Sequence, residues 1–272
     1  MKSRLLVAAV GVPLTFIMLV LLPELGAAIF CAAISCVAAQ EMYSAVGVRS
    51  LPPVVLGCIS SLLITAAAYF GLPARLVLAW CCLYGLILFT LWVAYYEKER
   101  PFGFAGLGAG LMAGLIIPGG MAALVLLRTA EYGRFIVLLP IIIAYAGDGG
   151  ALFAGMLFGK HKLAPKTSPK KTVEGGVGGL IVSIVLSLVF GLVLRFGFDI
   201  KLNFPMLAVT ALVTGIASPL GDLAFSLIKR EFGVKDYGKL LPGHGGALDR
   251  FDSTIFAAPV VYILLDLLNV IG

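Results

Sequence analysis

The sequence predicts an all-α, polytopic integral membrane protein that crosses the bilayer about nine times. Of its 272 residues, 61% are hydrophobic and only 12% are charged, which is about half the charged fraction of a typical soluble domain. So many apolar side chains cannot all be buried in one core, and helices satisfy their own backbone hydrogen bonds when lipid surrounds them. The predicted spans, each near the ~20 residues that a bilayer requires, are 5–22, 25–46, 54–71, 75–95, 103–127, 135–158, 176–195, 204–228 and 253–271.

The distribution of Lys and Arg sets the predicted orientation of these spans. The loops on one side contain 15 of these residues, whereas the loops on the other side contain 5. Cytoplasmic loops carry the excess of positive charge, so we expect an inner (plasma) membrane protein with a cytoplasmic N-terminus and an external C-terminus. The polar loops 159–175 and 229–252 would then share the cytoplasmic face and form one site there. The net charge of +6 is explained by loops that face anionic lipid and substrate, so nucleic acid is not an expected partner.

Three features of the apolar region have simple interpretations. Residues 1–22 could be a signal peptide, but the length of the apolar run and the spans that follow favour a first transmembrane helix. The five cysteines lack the spacing of a zinc site, so buried reduced thiols are expected. Gly106, Gly110 and Gly114 form a small-residue stripe, which favours close helix packing within the chain and leaves a homodimer seam as the alternative.

Polar residues concentrate after residue 145. Residues 1–130 are therefore predicted to form the N-terminal transmembrane helices and residues 131–272 the catalytic region, within one membrane domain. The spans 135–158 and 204–228 carry polar residues in their interior, which makes them the first candidates for a functional site.

The first polar segment combines an intramembrane carboxylate with a cluster of lysines. Asp148 lies inside a predicted span, where an acidic side chain usually faces a wet cavity, although a hydrogen bond to a neighbouring helix is the alternative. Five lysines follow between positions 160 and 171. Ser168, Lys170, Lys171 and Thr172 lie on a Pro-stiffened turn just before the next helix. Hydroxyl and ammonium groups at a helix N-terminus suit a bound phosphate.

The second polar segment brings carboxylates onto two helices. Asp222, Ser226 and Lys229 are spaced i, i+4, i+7 and share one helical face. Asp249 and Asp252 are spaced i, i+3 and share a face of the following helix. Two such helices could bind Mg²⁺, which prefers oxygen ligands from one or two carboxylates and a substrate phosphate.

A glycine-rich loop, Pro242-Gly243-His244-Gly245-Gly246, lies between these two helices. Its glycines permit unusual backbone torsions and the close approach of a ligand. His244 could be an ordinary hydrogen-bonding loop residue, but the glycines and carboxylates beside it favour a functional role.

Together these segments resemble the bacterial phosphatidate cytidylyltransferases, also called CDP-diglyceride synthases. Three runs of this chain resemble the family signature. They are Ser226-x-x-Lys229-Arg230, Lys235-Asp236 and Pro242-Gly243-His244-Gly245-Gly246-x-x-Asp249-Arg250-x-Asp252. The upstream runs Gly159-Lys160-His161-Lys162-Leu163-x-Pro165 and Ser168-Pro169-Lys170-Lys171-Thr172-x-Glu174-Gly175 are also similar to that family. The resemblance covers about residues 145–260.

The resemblance implies a reaction of phospholipid biosynthesis in which CTP and phosphatidate give CDP-diacylglycerol and pyrophosphate. It implies Mg²⁺ bound by Asp222 and Asp249 with support from Asp252, and it admits a second cation such as K⁺. The expected catalytic residues are Asp222, Asp249, Asp252, Lys229, Arg230 and His244. The expected substrate-binding residues are Lys160, Ser168, Lys170, Lys171, Thr172, Ser226, Lys235, Asp236, Gly245 and Gly246.

Three alternative functions differ in what they require of the sequence. A membrane transporter would use the intramembrane carboxylates Asp148 and Asp222 as an ion path, but the polar residues are concentrated after residue 145, unlike the two similar halves of an inverted repeat. A CDP-alcohol phosphatidyltransferase would need a D-x-x-D-G-x-x-A-R run, which the sequence lacks. A scaffold without catalysis would leave the carboxylate pair unexplained.

Overall fold

The computed structural model describes residues 11, 13–97, 102–238, 240 and 245–271, and most of these residues are helical. A π-helical turn, Ile17–Leu21, precedes the first long helix. The elements that follow are α1 (Glu24–Ala45), α2 (Leu51–Tyr69), α3 (Ala74–Glu97), α4 (Phe104–Leu111), a π-helical segment (Met112–Ile116), α5 (Ile117–Thr129), α6 (Gly133–Ile136), α7 (Leu139–Phe158), β1 (Lys162–Ala164), β2 (Ser168–Thr172), α8 (Val173–Phe198), α9 (Phe204–Glu231) and α10 (Leu248–Leu267). The predicted all-α class is confirmed, with one short β-hairpin added to it.

Seven helices in the described part of the chain are long and apolar enough to cross a membrane. Their ends fall within three residues of seven predicted spans, from 25–46 to 204–228. The predicted first span, 5–22, lies largely outside the described residues. The predicted last span, 253–271, overlaps α10, which does not qualify as an eighth candidate because its first turns are charged. A polytopic helical membrane protein is therefore confirmed, and the count of nine stays a prediction.

The described residues form two compact units. The first contains the residues up to Glu131 together with Glu231–Phe251, and the second contains Tyr132–Arg230 together with the residues from Asp252 onward. The polar segment 231–251, which precedes and opens α10, thus belongs with the N-terminal helices.

Small residues bring the helices of the first unit close together. A Cβ atom on Gly110 would lie 2.6 Å from Leu88, and a Cβ atom on Gly114 would overlap the ring of Tyr84. The Tyr84 hydroxyl donates to the carbonyl oxygen of Gly110 at 2.7 Å, and Ser60 donates to that of Gly114 at 2.5 Å. The predicted packing role of the glycine stripe within the chain is therefore confirmed.

The second unit is built on the antiparallel hairpin of α7 and α8. Along this contact, a Cβ atom on Gly150 would lie 2.7 Å from Val182, and one on Gly179 would lie 2.5 Å from the carbonyl oxygen of Gly147. Ser183 donates to the carbonyl oxygen of Ile143 at 2.9 Å. The two backbones approach this closely because glycines line the contact, as is typical of membrane helices.

A two-stranded β-hairpin connects α7 to α8, where the sequence predicts a polar loop with a turn. Strands β1 and β2 are antiparallel, with Lys162 opposite Thr172 and Ala164 opposite Ser168. The hairpin differs from a plain loop because the strand pairing satisfies backbone groups of this short polar connection. It directs the lysine-rich strand β2 straight into the N-terminus of α8.

Helix α9 packs on α8 and α10 through further glycines of the second unit. A Cβ atom on Gly215 would lie 2.8 Å from Leu180 of α8, and one on Gly221 would lie 2.7 Å from Phe256 of α10. The rings of Phe225 and Phe256 meet edge to face, with their centroids 6.0 Å apart. These contacts fix the face of α9 that carries Asp222 relative to α8 and to the part of α10 that follows Asp252.

Candidate active site

A cavity of about 360 Å³ lies between α7, α8, α9 and the β-hairpin of the second unit. Most of its lining residues are glycine or aliphatic, so its walls are apolar and close to the backbone. Its polar groups come from Asp148 on α7 and from Lys170, Lys171 and Thr172 on β2. A cavity of this kind can accept an apolar chain whose anionic end lies against the lysines.

The ammonium group of Lys171 pairs with the Oδ2 atom of Asp222. Ser226 donates from Oγ to the Oδ1 atom of the same carboxylate at 3.3 Å. The prediction that Asp222 and Ser226 share a helical face is confirmed by this hydrogen bond. The side chains of Lys171 and Asp222 are 26% and 23% exposed, so solvent and small ligands can reach the pair.

Asp252 adds a buried carboxylate to the same unit. Its Oδ1 atom accepts a hydrogen bond from the backbone N–H of Ser253 at 2.7 Å. The residue lies just before the predicted span 253–271. Its pKa is raised to about 7, mainly by burial. The carboxylates of Asp222 and Asp148 raise this pKa as well, whereas Lys229 lowers it. Asp252 therefore interacts electrostatically with two other carboxylates and with the buried ammonium group of Lys229. Such clusters of interacting charges are typical of functional sites.

At the N-terminus of α8, Thr172 caps the helix and Glu174 binds the residues that precede β1. Thr172 accepts the backbone N–H of Gly175 at 3.1 Å through its Oγ1 atom, which is a standard N-cap. The Glu174 carboxylate accepts the backbone N–H groups of Lys160 at 3.1 Å and of His161 at 3.2 Å. It also lies 2.6 Å from the Nδ1 atom of His161. Glu174 thus ties the two ends of the hairpin together.

Other predicted residues of the second unit surround this centre. Ser168 opens β2 and is half-buried, whereas Lys160 is exposed and precedes β1. Lys229 is buried, with 8% of its surface exposed. Arg230 is exposed and donates from Nε to the carbonyl oxygen of Thr167 at 3.4 Å, so the last turn of α9 contacts the hairpin.

The remaining predicted residues belong to the first unit. Asp249 is buried, and its Oδ2 atom accepts the backbone N–H groups of Tyr237 at 2.8 Å and of Gly246 at 2.9 Å. Gly245 has a φ of +82°, which confirms the predicted unusual torsion in this loop. Lys235 and Asp236 are exposed. His244 lies outside the described residues, so its role stays a prediction.

The acidic residues are suitable ligands for a hard divalent cation. Among the described residues, no group of three or more His, Cys, Asp or Glu side chains is arranged to hold an ion by itself. Asp222 and Asp252 offer carboxylate oxygens whose mutual repulsion a cation would relieve. This donor set fits an ion that completes its coordination with water and phosphate, as Mg²⁺ does. The predicted ligands Asp222 and Asp249 fall in different units, and their pairing stays a prediction.

Two carboxylates with clear roles were missed as site residues. Glu174 has the position of a first-turn acid in α8, but its three partners lie 13 and 14 residues away. Glu41 of α1 accepts backbone N–H groups of Ala247 and Leu248, more than 200 residues along the chain. The signal for Glu41 was a single acidic residue inside an apolar span, which is expensive unless it has a function.

Comparison with known proteins identifies a similar family over almost the whole chain. Residues 2–268 match the model of the cytidylyltransferase family. The chain is 32% identical to a protein of Staphylococcus aureus over 266 residues, or 97% of this chain and 99% of the relative. It is 35% identical to a protein of Staphylococcus epidermidis over 181 residues, or 66% and 68% of the two chains. Both relatives are named phosphatidate cytidylyltransferase.

Proposed function

Because the chain belongs to the cytidylyltransferase family, we propose that it transfers the cytidylyl group of CTP to phosphatidate, giving CDP-diacylglycerol and pyrophosphate. The name of the Staphylococcus aureus relative, which aligns over nearly its full length, supports this activity. The structural observation that carries the proposal is the largely apolar cavity that is also lined by Lys170, Lys171 and Thr172. One substrate is a lipid and the other is a soluble nucleotide, so the site must offer both an apolar wall and cations for phosphate.

The chemistry requires little covalent help from the protein. One phosphate oxygen of phosphatidate forms a bond to the α-phosphorus of CTP, and the bond from that phosphorus to the α–β bridging oxygen breaks. The electron pair of the broken bond leaves with pyrophosphate. Because the lipid phosphate is already anionic at neutral pH, positioning and charge neutralisation supply most of the effect.

The lysines and hydroxyls of the hairpin are proposed to bind the triphosphate of CTP. Lys170 and Lys171 neutralise its charge, and Thr172 and Ser168 offer hydroxyl donors, with Lys160 at the entrance to the hairpin. The ion pair of Lys171 with Asp222 supports this role, because the carboxylate orients the ammonium group before a nucleotide arrives. Lys229, Arg230 and Lys235 are proposed to neutralise the lipid phosphate or the departing pyrophosphate.

A divalent cation is part of the proposal. Asp222 and Asp249 would hold Mg²⁺, with Asp252 as support and with K⁺ as the candidate for a second cation. When bound, Mg²⁺ would reduce the negative charge that repels the two phosphate groups from each other. The proximity of Asp252 to Asp222 and Asp148 supports a cation beside Asp222, since a divalent ion would relieve the mutual repulsion of these three carboxylates.

We propose further that the site faces the cytoplasm from the inner membrane. The uneven distribution of Lys and Arg supports a cytoplasmic N-terminus and an external C-terminus. A single cysteine introduced at Lys166 in a cysteine-free variant should react with a membrane-impermeant maleimide only after the cells are opened, whereas one at Lys201 should react in intact cells. The reverse pattern would contradict this orientation. Homodimerisation stays a prediction that mass measurement of the detergent-solubilised protein would test.

The activity is tested directly with purified protein in detergent micelles. CTP labelled at the α-phosphate, phosphatidate and Mg²⁺ should give labelled CDP-diacylglycerol and one pyrophosphate per lipid product. Diacylglycerol, which lacks the attacking phosphate, is the matched control and should give none. Absence of product with phosphatidate, together with ion or solute flux in vesicles, would favour the transporter alternative and overturn the proposal.

A further inference from the structure

Glu41 is a buried carboxylate in α1 whose hydrogen-bond partners lie at the start of α10. Only 8% of the Glu41 surface is exposed. The Oε1 atom accepts the backbone N–H of Ala247 at 3.1 Å, and the Oε2 atom accepts that of Leu248 at 2.8 Å. Both carboxylate oxygens are therefore used to hold one short stretch of backbone within the first unit.

These two N–H groups lie at the beginning of α10, which starts at Leu248. The first N–H groups of a helix have no partner within the helix and are usually satisfied by a local side chain. The residues just before α10, Gly245, Gly246 and Ala247, carry no side-chain acceptor. Glu41 supplies the acceptor instead, and its negative charge also suits the positive end of the helix dipole.

Two glycines of the first unit leave room for the Glu41 side chain. A Cβ atom on Gly238 or on Gly246 would overlap the Glu41 carboxylate. Neither glycine has a positive φ, so the space that Glu41 occupies, rather than a torsion requirement, is the reason for glycine at these positions. Gly246 therefore has a packing role beside Glu41, and its predicted role in ligand binding stays a prediction.

The first turn of α10 also contains Asp249, whose Oδ2 atom accepts the N–H groups of Tyr237 and Gly246. Glu41 and Asp249 accept hydrogen bonds from three consecutive peptide groups. Asp249 accepts the N–H of Gly246, and Glu41 accepts those of Ala247 and Leu248. Two carboxylates therefore hold the backbone at Tyr237 and from Gly246 to Leu248. A change in the position of Glu41 would therefore move the first turn of α10, which carries Asp249.

We propose that Glu41 is a positioning residue for the cytidylyl transfer, an inference that rests on the proposed function. It does not touch the substrates. It sets where α10 begins, and thereby sets the direction in which Asp249, in the same unit, would present its carboxylate to a divalent cation.

The test compares Glu41→Ala and Glu41→Gln with Glu24→Gln, which changes a carboxylate of the same helix that contacts Arg128 instead. We expect Glu41→Ala to lower kcat by about tenfold or more and to raise the Mg²⁺ concentration for half-maximal rate, with a smaller change in the KM for CTP. Glu41→Gln should be intermediate, because its NH₂ group cannot accept one of the two N–H groups. Glu24→Gln should keep both the wild-type kcat and the wild-type Mg²⁺ requirement.

A second variant tests the geometry while keeping the carboxylate. Gly238→Ala should reproduce the higher Mg²⁺ requirement in the wild-type background, because its Cβ atom displaces Glu41. In the Glu41→Ala background the same change should have little further effect, so the two effects should be non-additive. Additive effects would mean that Gly238 acts without Glu41, and they would overturn the inference.

The outcomes separate this inference from the proposed function. Wild-type protein that forms no CDP-diacylglycerol overturns the function itself. Active wild type with Glu41 variants that keep the wild-type Mg²⁺ requirement overturns the positioning role alone. A lower yield of folded protein, measured by size-exclusion chromatography, with an unchanged Mg²⁺ requirement in the folded fraction also overturns it, since Glu41 would then serve stability only.

Discussion

Lys171 on β2 and Asp222 on α9 form an ion pair, so the basic hairpin is held to the acidic face of the helix. The pair lies beside the apolar cavity that Lys171 lines. A phosphate group that enters this cavity competes with Asp222 for the ammonium group, and a cation competes with Lys171 for the carboxylate. Binding of both would exchange one ion pair for two new ones without leaving a charge unpaired.

Asp222→Asn should lower turnover by about 100-fold or more while the protein stays folded in detergent. The ion pair with Lys171 is partly exposed, so its loss should change the free energy of unfolding by only about 0–1 kcal/mol. Pyrophosphate release and thermal unfolding measure the two effects. Asp266→Asn, at an exposed position of α10, is the matched control, and a near-normal rate in Asp222→Asn would refute the metal assignment.

Lys170→Ala should raise the KM for CTP by about tenfold, which corresponds to the loss of one charge-assisted contact of about 1.4 kcal/mol. The reason is that Lys170 lines the cavity beside Lys171. Lys166→Ala removes an equal charge from the turn of the same hairpin, outside the cavity lining, and should leave this KM unchanged. Equal KM values for the two variants would remove Lys170 from the nucleotide site.

Asp252→Asn should stabilise the metal-free protein while lowering its activity. The buried carboxylate has a pKa near 7 when folded, against 3.8 as its ordinary value, so the folded state is penalised once the group ionises. The stabilisation should therefore be absent below about pH 4, grow between about pH 4 and 7, and reach about 1 kcal/mol or more at pH 8. Thermal unfolding with EDTA across this range measures it, and a stabilisation independent of pH would contradict the cause.

Gly179→Ala should destabilise the α7–α8 hairpin by about 1–3 kcal/mol through overpacking. Its Cβ atom would lie 2.5 Å from the Gly147 carbonyl oxygen, which cannot move without the helix backbone. Gly149→Ala, on the same helix pair, has open space around the new atom and should be neutral or stabilising by about 0.5–1 kcal/mol. Unfolding of both variants by heat in one detergent gives the comparison, in which equal stabilities would argue against backbone contact as the limiting factor.

Glu174→Ala should raise the KM for CTP more than it lowers kcat, because it frees the ends of the hairpin that carries Lys170 and Lys171. Limited proteolysis should then cut the segment between Lys160 and Thr172 faster than in the wild type. His161→Ala removes one partner and keeps the two backbone contacts of Glu174, so it should show a smaller effect. Unchanged proteolysis in Glu174→Ala would show that strand pairing alone holds the hairpin.

Local patterns in the sequence were sufficient for the spans and for the face of α9. Apolar run length predicted seven helices to within three residues, and i, i+4 spacing predicted the contact of Asp222 with Ser226. Both depend only on the periodicity of one helix. The family resemblance, rather than periodicity, supplied the activity.

Contacts between distant parts of the chain were not predictable in the same way. The role of Glu41 depends on Ala247 and Leu248, which are more than 200 residues away, and no spacing rule connects them. The β-hairpin was also missed, because Ser168 to Thr172 is a short polar run whose strand pairing depends on its position between α7 and α8. The contact of Gly246 with Glu41 is likewise long-range, and the substrate-binding role of Gly246 stays a prediction.

The contiguity of α7, the β-hairpin and α8 has a consequence for biosynthesis. The α7–α8 contact of Ser183 with Ile143 spans 40 residues, far fewer than separate Glu41 from Ala247 and Leu248, so loop closure costs less and the α7–α8 pair can form early. The lysines of the β-hairpin can therefore be arranged once Phe198 has been inserted, before the ribosome has delivered Asp222. The cationic part of the centre would be assembled first and would wait, during translation, for the acidic residues that complete it.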